Sequence, residues 1–220
     1  MAHARLPRRG SIATFGEAAA WLRSNPVLFV LAFGLALVEA LGELVGLFSL
    51  LAFFLTVFFD GIVYVFAVGE AFDRPTELGE ATSQVAGRYV MLVVITILYL
   101  VVVAIGIVLF VLPGVYLALR LSLAFPACVI DDADLAESLR TSWEIAPGNL
   151  LKLFGITLFA ILLSFGFALV TLFGGGTDVG TVLLSIVFTT LIYPVVRLSY
   201  ARVYLENRPT PEGESAAVQS

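Results

Sequence analysis

Residues 89–112 read YVMLVVITILYLVVVAIGIVLFVL, a run of 24 residues without one charged side chain. An α-helix rises about 1.5 Å per residue, so about 20 apolar residues are enough to cross the hydrocarbon core of a bilayer. A soluble domain seldom contains so long an uncharged run. This stretch therefore predicts a transmembrane helix and decides the class to which the rest of the chain is assigned.

Composition extends this interpretation to the whole chain. Of the 220 residues, 60% are hydrophobic and 13% are charged, whereas soluble domains carry about 25% charged residues. Five further apolar stretches are bounded by Gly, Pro or charged residues, at 27–48, 50–72, 115–130, 149–173 and 179–203. The pattern predicts an all-α, polytopic integral membrane protein with six transmembrane helices in one domain, residues 1–205. Residues 206–220 are polar and net acidic, which predicts a disordered acidic cytoplasmic tail.

The basic residues predict the orientation of these helices. The chain has eleven Arg and one Lys, and eleven of these twelve residues fall in segments that six spans place on one side. Arg and Lys accumulate on the cytoplasmic side of membrane proteins. The distribution predicts three hairpins in the cell membrane with both termini cytoplasmic. Only Arg120 does not follow it.

A short amphipathic segment precedes each predicted hairpin. The segments are residues 12–23, 76–86 and 134–146, and they contain Glu17, Glu80 and Glu137. Apolar residues recur in them at helical spacing, which favours three short helices in the inner membrane interface over three ordinary polar linkers. Trp21 and Trp143 lie in the first and third segments, and tryptophan prefers the depth of the lipid headgroups. We predict both to be inner-interface anchors.

The last predicted span ends in a stripe of aromatic and basic residues. Arg197, Tyr200 and Tyr204 follow Tyr193 at i+4, i+7 and i+11 and so share one helix face. Such a stripe is able to engage anionic headgroups, although Arg and Tyr also anchor helix ends without specific recognition. We predict Arg197, Tyr200 and Tyr204 to be further inner-interface anchors.

Three ionisable residues interrupt the apolar spans. Asp60, Arg120 and Glu39 fall well inside the second, fourth and first spans. An isolated charge at such a depth costs at least ~2.5 kcal/mol, so intramembrane charges usually pair or serve a function. We predict that Arg120 faces the bundle interior and pairs with Asp60, with Glu39 as the competing partner.

Side chains for catalysis are scarce. His3 is the only histidine, Cys128 is the only cysteine, and the chain has no Gly-rich phosphate loop or HExxH motif. The acidic run at residues 131–137 is able to hold a divalent cation, but a solvated helix start is the more ordinary interpretation. We expect no catalytic, cofactor-binding or metal site, and hence no enzyme. The basic residues are dispersed, which argues against a nucleic-acid-binding face.

The segment from residue 113 to residue 149 resembles a known family. It contains Pro113-Gly114, a short span with Arg120 and Pro126, an acidic turn, and a Ser-Trp helix that ends in APGN. This pattern is similar to the membrane domain of glycerophosphoryl diester phosphodiesterases and its stand-alone archaeal and bacterial relatives. The resemblance implies a six-helix integral membrane domain. It does not imply phosphodiesterase activity, since that chemistry belongs to a separate soluble domain.

Two functions are compatible with these features. The first is a non-catalytic membrane module with a scaffold, assembly or lipid- or protein-interaction role, whose candidate partners are the bilayer and a membrane or cytoplasmic protein. The second is a transporter or channel for a small solute or ion that uses Asp60 and Arg120. The net charge of −5 with a single lysine favours a halophilic archaeon, although a GC-rich bacterial genome gives a similar bias. Oligomeric state is left open.

Overall fold

The computed structural model describes residues 6–173 and 179–208, and these residues form α-helices and short connections without a strand. The predicted all-α class is confirmed. The helices are α1 Ser11–Ser24, α2 Pro26–Leu44, α3 Gly46–Ala71, α4 Leu78–Leu109, α5 Val111–Leu121, α6 Ala124–Ile130, α7 Leu135–Ile145, α8 Leu150–Phe173 and α9 Val179–Asn207, with a 3-10 turn at Ala146–Asn149 between α7 and α8.

Within the described ranges, five segments are long and apolar enough to cross a bilayer. They are Gly46–Ala71, Leu78–Leu109, Val111–Ile130, Leu135–Gly166 and Val179–Asn207. The pair α1 and α2 is a sixth candidate, although it is bent by 93° where Pro26 begins the second helix. The chain is therefore a multi-pass membrane protein with five to six candidate spans.

The first two predicted helices begin within one residue of their expected positions, but α2 ends at Leu44, four residues before the predicted end at residue 48. Pro26 is the first residue of α2, a position where proline is tolerated because an N–H there would have no acceptor within the helix. The 93° bend sets α1 across α2, which is the orientation expected of an interfacial helix followed by a span. The turn between the first two predicted spans is a single residue, Val45, which connects α2 to α3.

The second predicted interfacial helix does not exist as a separate element, so this prediction is wrong. Residues 78–86 belong to α4, which continues without a break from Leu78 to Leu109 over 32 residues. At about 1.5 Å per residue such a helix is roughly 48 Å long and exceeds the bilayer core. The reason is local, since no proline interrupts the helix between the polar start and the apolar run.

The fourth predicted span is also different, because it breaks into α5 and α6 around Ser122 and Leu123. Ser142 of α7 bridges this break: its hydroxyl donates to the carbonyl of Arg120 at 2.7 Å and accepts from the amide of Leu123 at 3.0 Å. A side chain from another helix thus replaces backbone bonds that the break removes.

The break brings together two chain segments that three simple hairpins keep apart. Leu112 and Val115 of α5 line the same apolar groove as Leu150 and Leu151 of α8. In the predicted arrangement, residue 112 adjoins an outer turn and residue 150 begins a span on the inner side. The arrangement of six spans as three hairpins is therefore not confirmed.

The structure describes three residues of the predicted tail, Glu206, Asn207 and Arg208. Glu206 and Asn207 are the last residues of α9, and the Glu206 side chain is buried. The tail predicted from residue 206 therefore starts too early. Its remainder, residues 209–220, lies outside the part of the chain that the structure describes.

Candidate functional site in the helix core

Asp60 lies in the most buried part of α3. Every residue from Phe59 to Ala67 in that helix is buried, and α3 packs there against α9. Asp60 itself is only 4% exposed. Burial of an unpaired carboxylate is costly, so the neighbours of Asp60 decide whether this core is stable.

Arg197 and Tyr193 of α9 provide those neighbours. The Arg197 Nη2 atom lies 2.9 Å from Asp60 Oδ2, and the Tyr193 hydroxyl donates to Asp60 Oδ1 at 2.8 Å. Arg197 also donates to the Tyr193 hydroxyl oxygen from Nε at 3.0 Å and from Nη2 at 2.8 Å. Each carboxylate oxygen therefore has a partner, and the three side chains form a closed cluster, the Asp60–Tyr193–Arg197 cluster.

The predicted pair between Arg120 and Asp60 is wrong. The guanidinium of Arg120 instead lies over the Trp143 ring at 4.0 Å and the Tyr116 ring at 5.5 Å. Its backbone is tied to α7 through Ser142, so the side chain is directed toward α7 and away from α3. Glu39, the predicted competitor, accepts a hydrogen bond of 3.1 Å from the Thr189 hydroxyl.

The predicted anchors of α9 face the protein. Tyr200 and Tyr204 are 9% and 1% exposed. The Tyr200 hydroxyl lies 2.7 Å from that of Thr157, and the Tyr204 hydroxyl donates to Asp131 at 2.5 Å. The stripe that includes Arg197 therefore packs against neighbouring helices, and its prediction as a headgroup-binding surface is wrong. The other two predicted anchors, Trp21 and Trp143, lie beneath the guanidinium groups of Arg202 and Arg120.

Two cavities adjoin the Asp60–Tyr193–Arg197 cluster. One, of about 150 Å³, is lined by Asp60 and Arg197 together with the hydroxyl-bearing residues Tyr64, Tyr99 and Tyr200. The other, of about 550 Å³, lies between α8 and α9 and has a mostly apolar lining. Arg197 and Tyr200 line both cavities. A polar cavity beside a neutralised ion pair is suited to water or a small polar molecule.

A second group of charges, in the interior of the protein, joins α1, α8 and the C-terminal end of α9. In this inner network, Lys152 of α8 contacts Glu206 of α9 at 2.6 Å, and Arg202 lies 3.6 Å from the same carboxylate. Arg202 also pairs with Glu17 of α1, which accepts from Arg9 at 2.8 Å. Sequence analysis missed the network because it counted Arg202 and Lys152 only as markers of orientation. The signal available was the i, i+4 spacing of Arg202 and Glu206.

The acidic run after α6 forms structural contacts. Asp131 accepts from Tyr204 and pairs with Arg208 at 3.4 Å, while Asp132 pairs with Arg88 at 2.7 Å. Asp134 caps α7, since its Oδ1 atom accepts from the amide of Glu137 at 2.8 Å, which is a contact typical of aspartate before a helix. Among the described residues, no group of three or more His, Cys, Asp or Glu side chains is arranged to hold a metal ion.

These features define an integral membrane protein of the multi-pass α-helical class, with paired charges in its core. Residues 99–205 match the family model described as the membrane domain of glycerophosphoryl diester phosphodiesterase. The match covers just under half of the chain and includes α5 to α8 and most of α9, so the resemblance predicted from residues 113–149 is confirmed. Comparison with curated proteins and with solved structures gives no match.

Proposed function

We propose that the chain is a non-catalytic membrane module that acts through lipid or protein contacts. The observation that carries this proposal is the closure of the Asp60–Tyr193–Arg197 cluster. Both oxygens of Asp60 are occupied by side chains of α9, so a solute has to displace a protein partner before it can bind there. A charge pair of this kind connects helices and fixes how they pack.

The inner network supports the same interpretation. Arg202 and Glu206 have side chains that are 2% and 1% exposed, and their partners come from α1 and α8. These contacts join the start of the chain to its last helix. The family match agrees with a membrane module, since it concerns the membrane domain and not a catalytic domain.

Flux through reconstituted liposomes tests this proposal. We expect liposomes that contain the protein to be no more permeable to protons, monovalent cations or small polar solutes than empty liposomes, because the core carboxylate is already paired. The flux is also measured for the Asp60→Asn and Tyr99→Phe variants. Tyr99→Phe leaves the Asp60–Tyr193–Arg197 cluster intact. A reproducible flux through the wild type that either variant reduces would replace the module with a transport function.

Small-solute or ion passage is the second candidate, and the polar cavity favours it. Asp60, Arg197 and three tyrosines line a space of about 150 Å³, and intramembrane ionisable groups commonly mark solute paths. Arg120, which the sequence suggested as part of such a site, is not among the residues that line this cavity. On this alternative, Tyr99→Phe and Tyr200→Phe should alter flux without disturbing the ion pair.

We further propose that both termini are cytoplasmic, because eleven of the twelve basic residues fall on that side of a six-span arrangement. A cysteine introduced at Glu80, in a variant whose Cys128 is replaced by Ala, should be protected from an impermeant maleimide applied to intact cells. A cysteine at Gly175 should react. Opposite reactivity at the two positions would reverse the orientation.

A further inference from the structure

Arg120 is a buried cation without a charged partner. The residue is 8% exposed, and its guanidinium rests against the rings of Trp143 and Tyr116. None of the ion pairs within residues 6–173 and 179–208 includes Arg120, and its buried Nε atom has no hydrogen-bond acceptor there. Contact with the rings offsets part of the cost of burial, but the positive charge has no counter-charge and the Nε donor has no acceptor among the described residues.

The helix that covers Arg120 has a polar outer face. Glu137, Arg140 and Glu144 of α7 are exposed, and Arg140 pairs with Glu144 at 2.8 Å across one helical turn. The opposite face buries Ser138 and Ser142. A helix with this distribution lies where water meets the membrane. Arg120 packs against this helix through Ser142 and Trp143, so a lipid headgroup at the level of α7 lies within about one helix diameter of the guanidinium.

Apolar grooves flank the two rings that hold Arg120. One groove, of about 370 Å³, is lined by Arg140 and Trp143 of α7 and by the apolar residues Leu98, Val102, Leu121 and Leu139. The other, of about 410 Å³, includes Tyr116 and residues from α5 and α8, and its lining is nearly all apolar. Arg120 itself lines neither groove, but its guanidinium contacts one ring of each, Tyr116 and Trp143.

We propose that Arg120 binds the phosphate of an anionic phospholipid whose acyl chains lie in these two grooves. The charge of the headgroup complements the unpaired guanidinium, and the fork of N–H donors on Arg matches the geometry of phosphate oxygens. Apolar grooves on both sides suit a ligand with two hydrocarbon chains. The lipid thus supplies the counter-charge that the described part of the protein lacks. This proposal names a lipid partner for the membrane module, but it rests on Arg120 and not on the Asp60–Tyr193–Arg197 cluster.

Tryptophan fluorescence provides a local test, because the chain contains only Trp21 and Trp143. A Trp21→Phe protein keeps one indole, which lies 4.0 Å from the Arg120 guanidinium. In liposomes of unlabelled phosphatidylcholine, we compare quenching by small amounts of brominated phosphatidylglycerol and brominated phosphatidylcholine. We expect the anionic lipid to quench at roughly fivefold to tenfold lower mole fraction, the effect of one good polar contact.

Substitution of the two neighbouring arginines separates a specific site from general surface charge. Arg120→Gln should abolish the preference for phosphatidylglycerol, and Arg120→Lys should retain part of it. Arg140→Gln should retain most of it although Arg140 lines one groove, because the charge of Arg140 is already paired with Glu144 at 2.8 Å. Inorganic phosphate at millimolar concentration should not displace the lipid. Equal quenching by both lipids in the wild type would overturn the proposal. A loss with Arg140→Gln as large as with Arg120→Gln, or displacement by phosphate alone, would also overturn it. Flux results do not affect this outcome, so failure of the lipid site and failure of the proposed function are distinguishable.

Discussion

The Asp60→Asn variant is expected to lose about 3–5 kcal/mol of unfolding free energy, the usual cost of breaking a buried ion pair from one side. The substitution removes the charge that neutralises Arg197, which lies 2.9 Å away. The Arg197 side chain is 33% exposed, so we expect the loss to fall at the lower end of this range. Arg197→Gln should cause a similar loss of unfolding free energy, because it leaves the buried carboxylate of Asp60 without its cation. Denaturant-induced unfolding of the detergent-solubilised protein, followed by circular dichroism, measures both losses.

Three companion variants make this result specific. Tyr193→Phe removes only the hydroxyl that donates to Asp60 and should cost about 1 kcal/mol. Asp60→Asn and Arg197→Gln together should cost clearly less than their sum, because residues in contact couple. Asp60→Asn and Arg120→Gln should be additive within about 0.5 kcal/mol. Strong coupling to Arg120 and none to Arg197 would restore the pair predicted from the sequence.

The second large effect is expected at Glu206. Glu206→Gln leaves Lys152 and Arg202 near an uncharged amide, and both cations are largely buried. We expect a loss of about 3 kcal/mol or more, measured by the same unfolding experiment. The destabilisation arises at the junction of α8 and α9, which the Glu206–Lys152 contact of 2.6 Å joins.

Glu144→Gln is the matched control for Glu206→Gln. Glu144 pairs with Arg140 at 2.8 Å, but the two side chains are 59% and 81% exposed. An exposed pair of this kind contributes at most about 1 kcal/mol. If the two variants were equally stable, the inner network would have no special role in joining the helices.

Apolar run length predicts much of this fold. The uncharged run at residues 89–112 lies largely within α4, and Pro26 and Asp134 mark the starts of α2 and α7 as their local chemistry requires. These features depend on interactions within a few residues of the chain. They are therefore available to sequence analysis.

The partners of the buried charges are not predictable in the same way. The positions of Arg120 and Asp60 along their predicted spans are compatible with a contact between them. These positions contain no information about the rotation of each helix about its axis. The outcome depends on the break at Ser122 and on Ser142, which hold Arg120 against α7. Arg197 was assigned to the membrane interface because arginines at helix ends usually lie there, although its i, i+4 spacing from Tyr193 was visible.

The most direct test of the structural role of the Asp60–Arg197 pair is to replace both residues, because a single substitution breaks the pair and leaves one charge unneutralised. Asp60→Leu combined with Arg197→Met substitutes apolar side chains for both charges. Buried pairs replaced in this way are commonly neutral or stabilising, so we expect an unfolding free energy within about 1 kcal/mol of the wild type, or above it. A loss equal to the sum of the two single substitutions would show that Asp60 and Arg197 do not neutralise each other, and would contradict the proposed structural role.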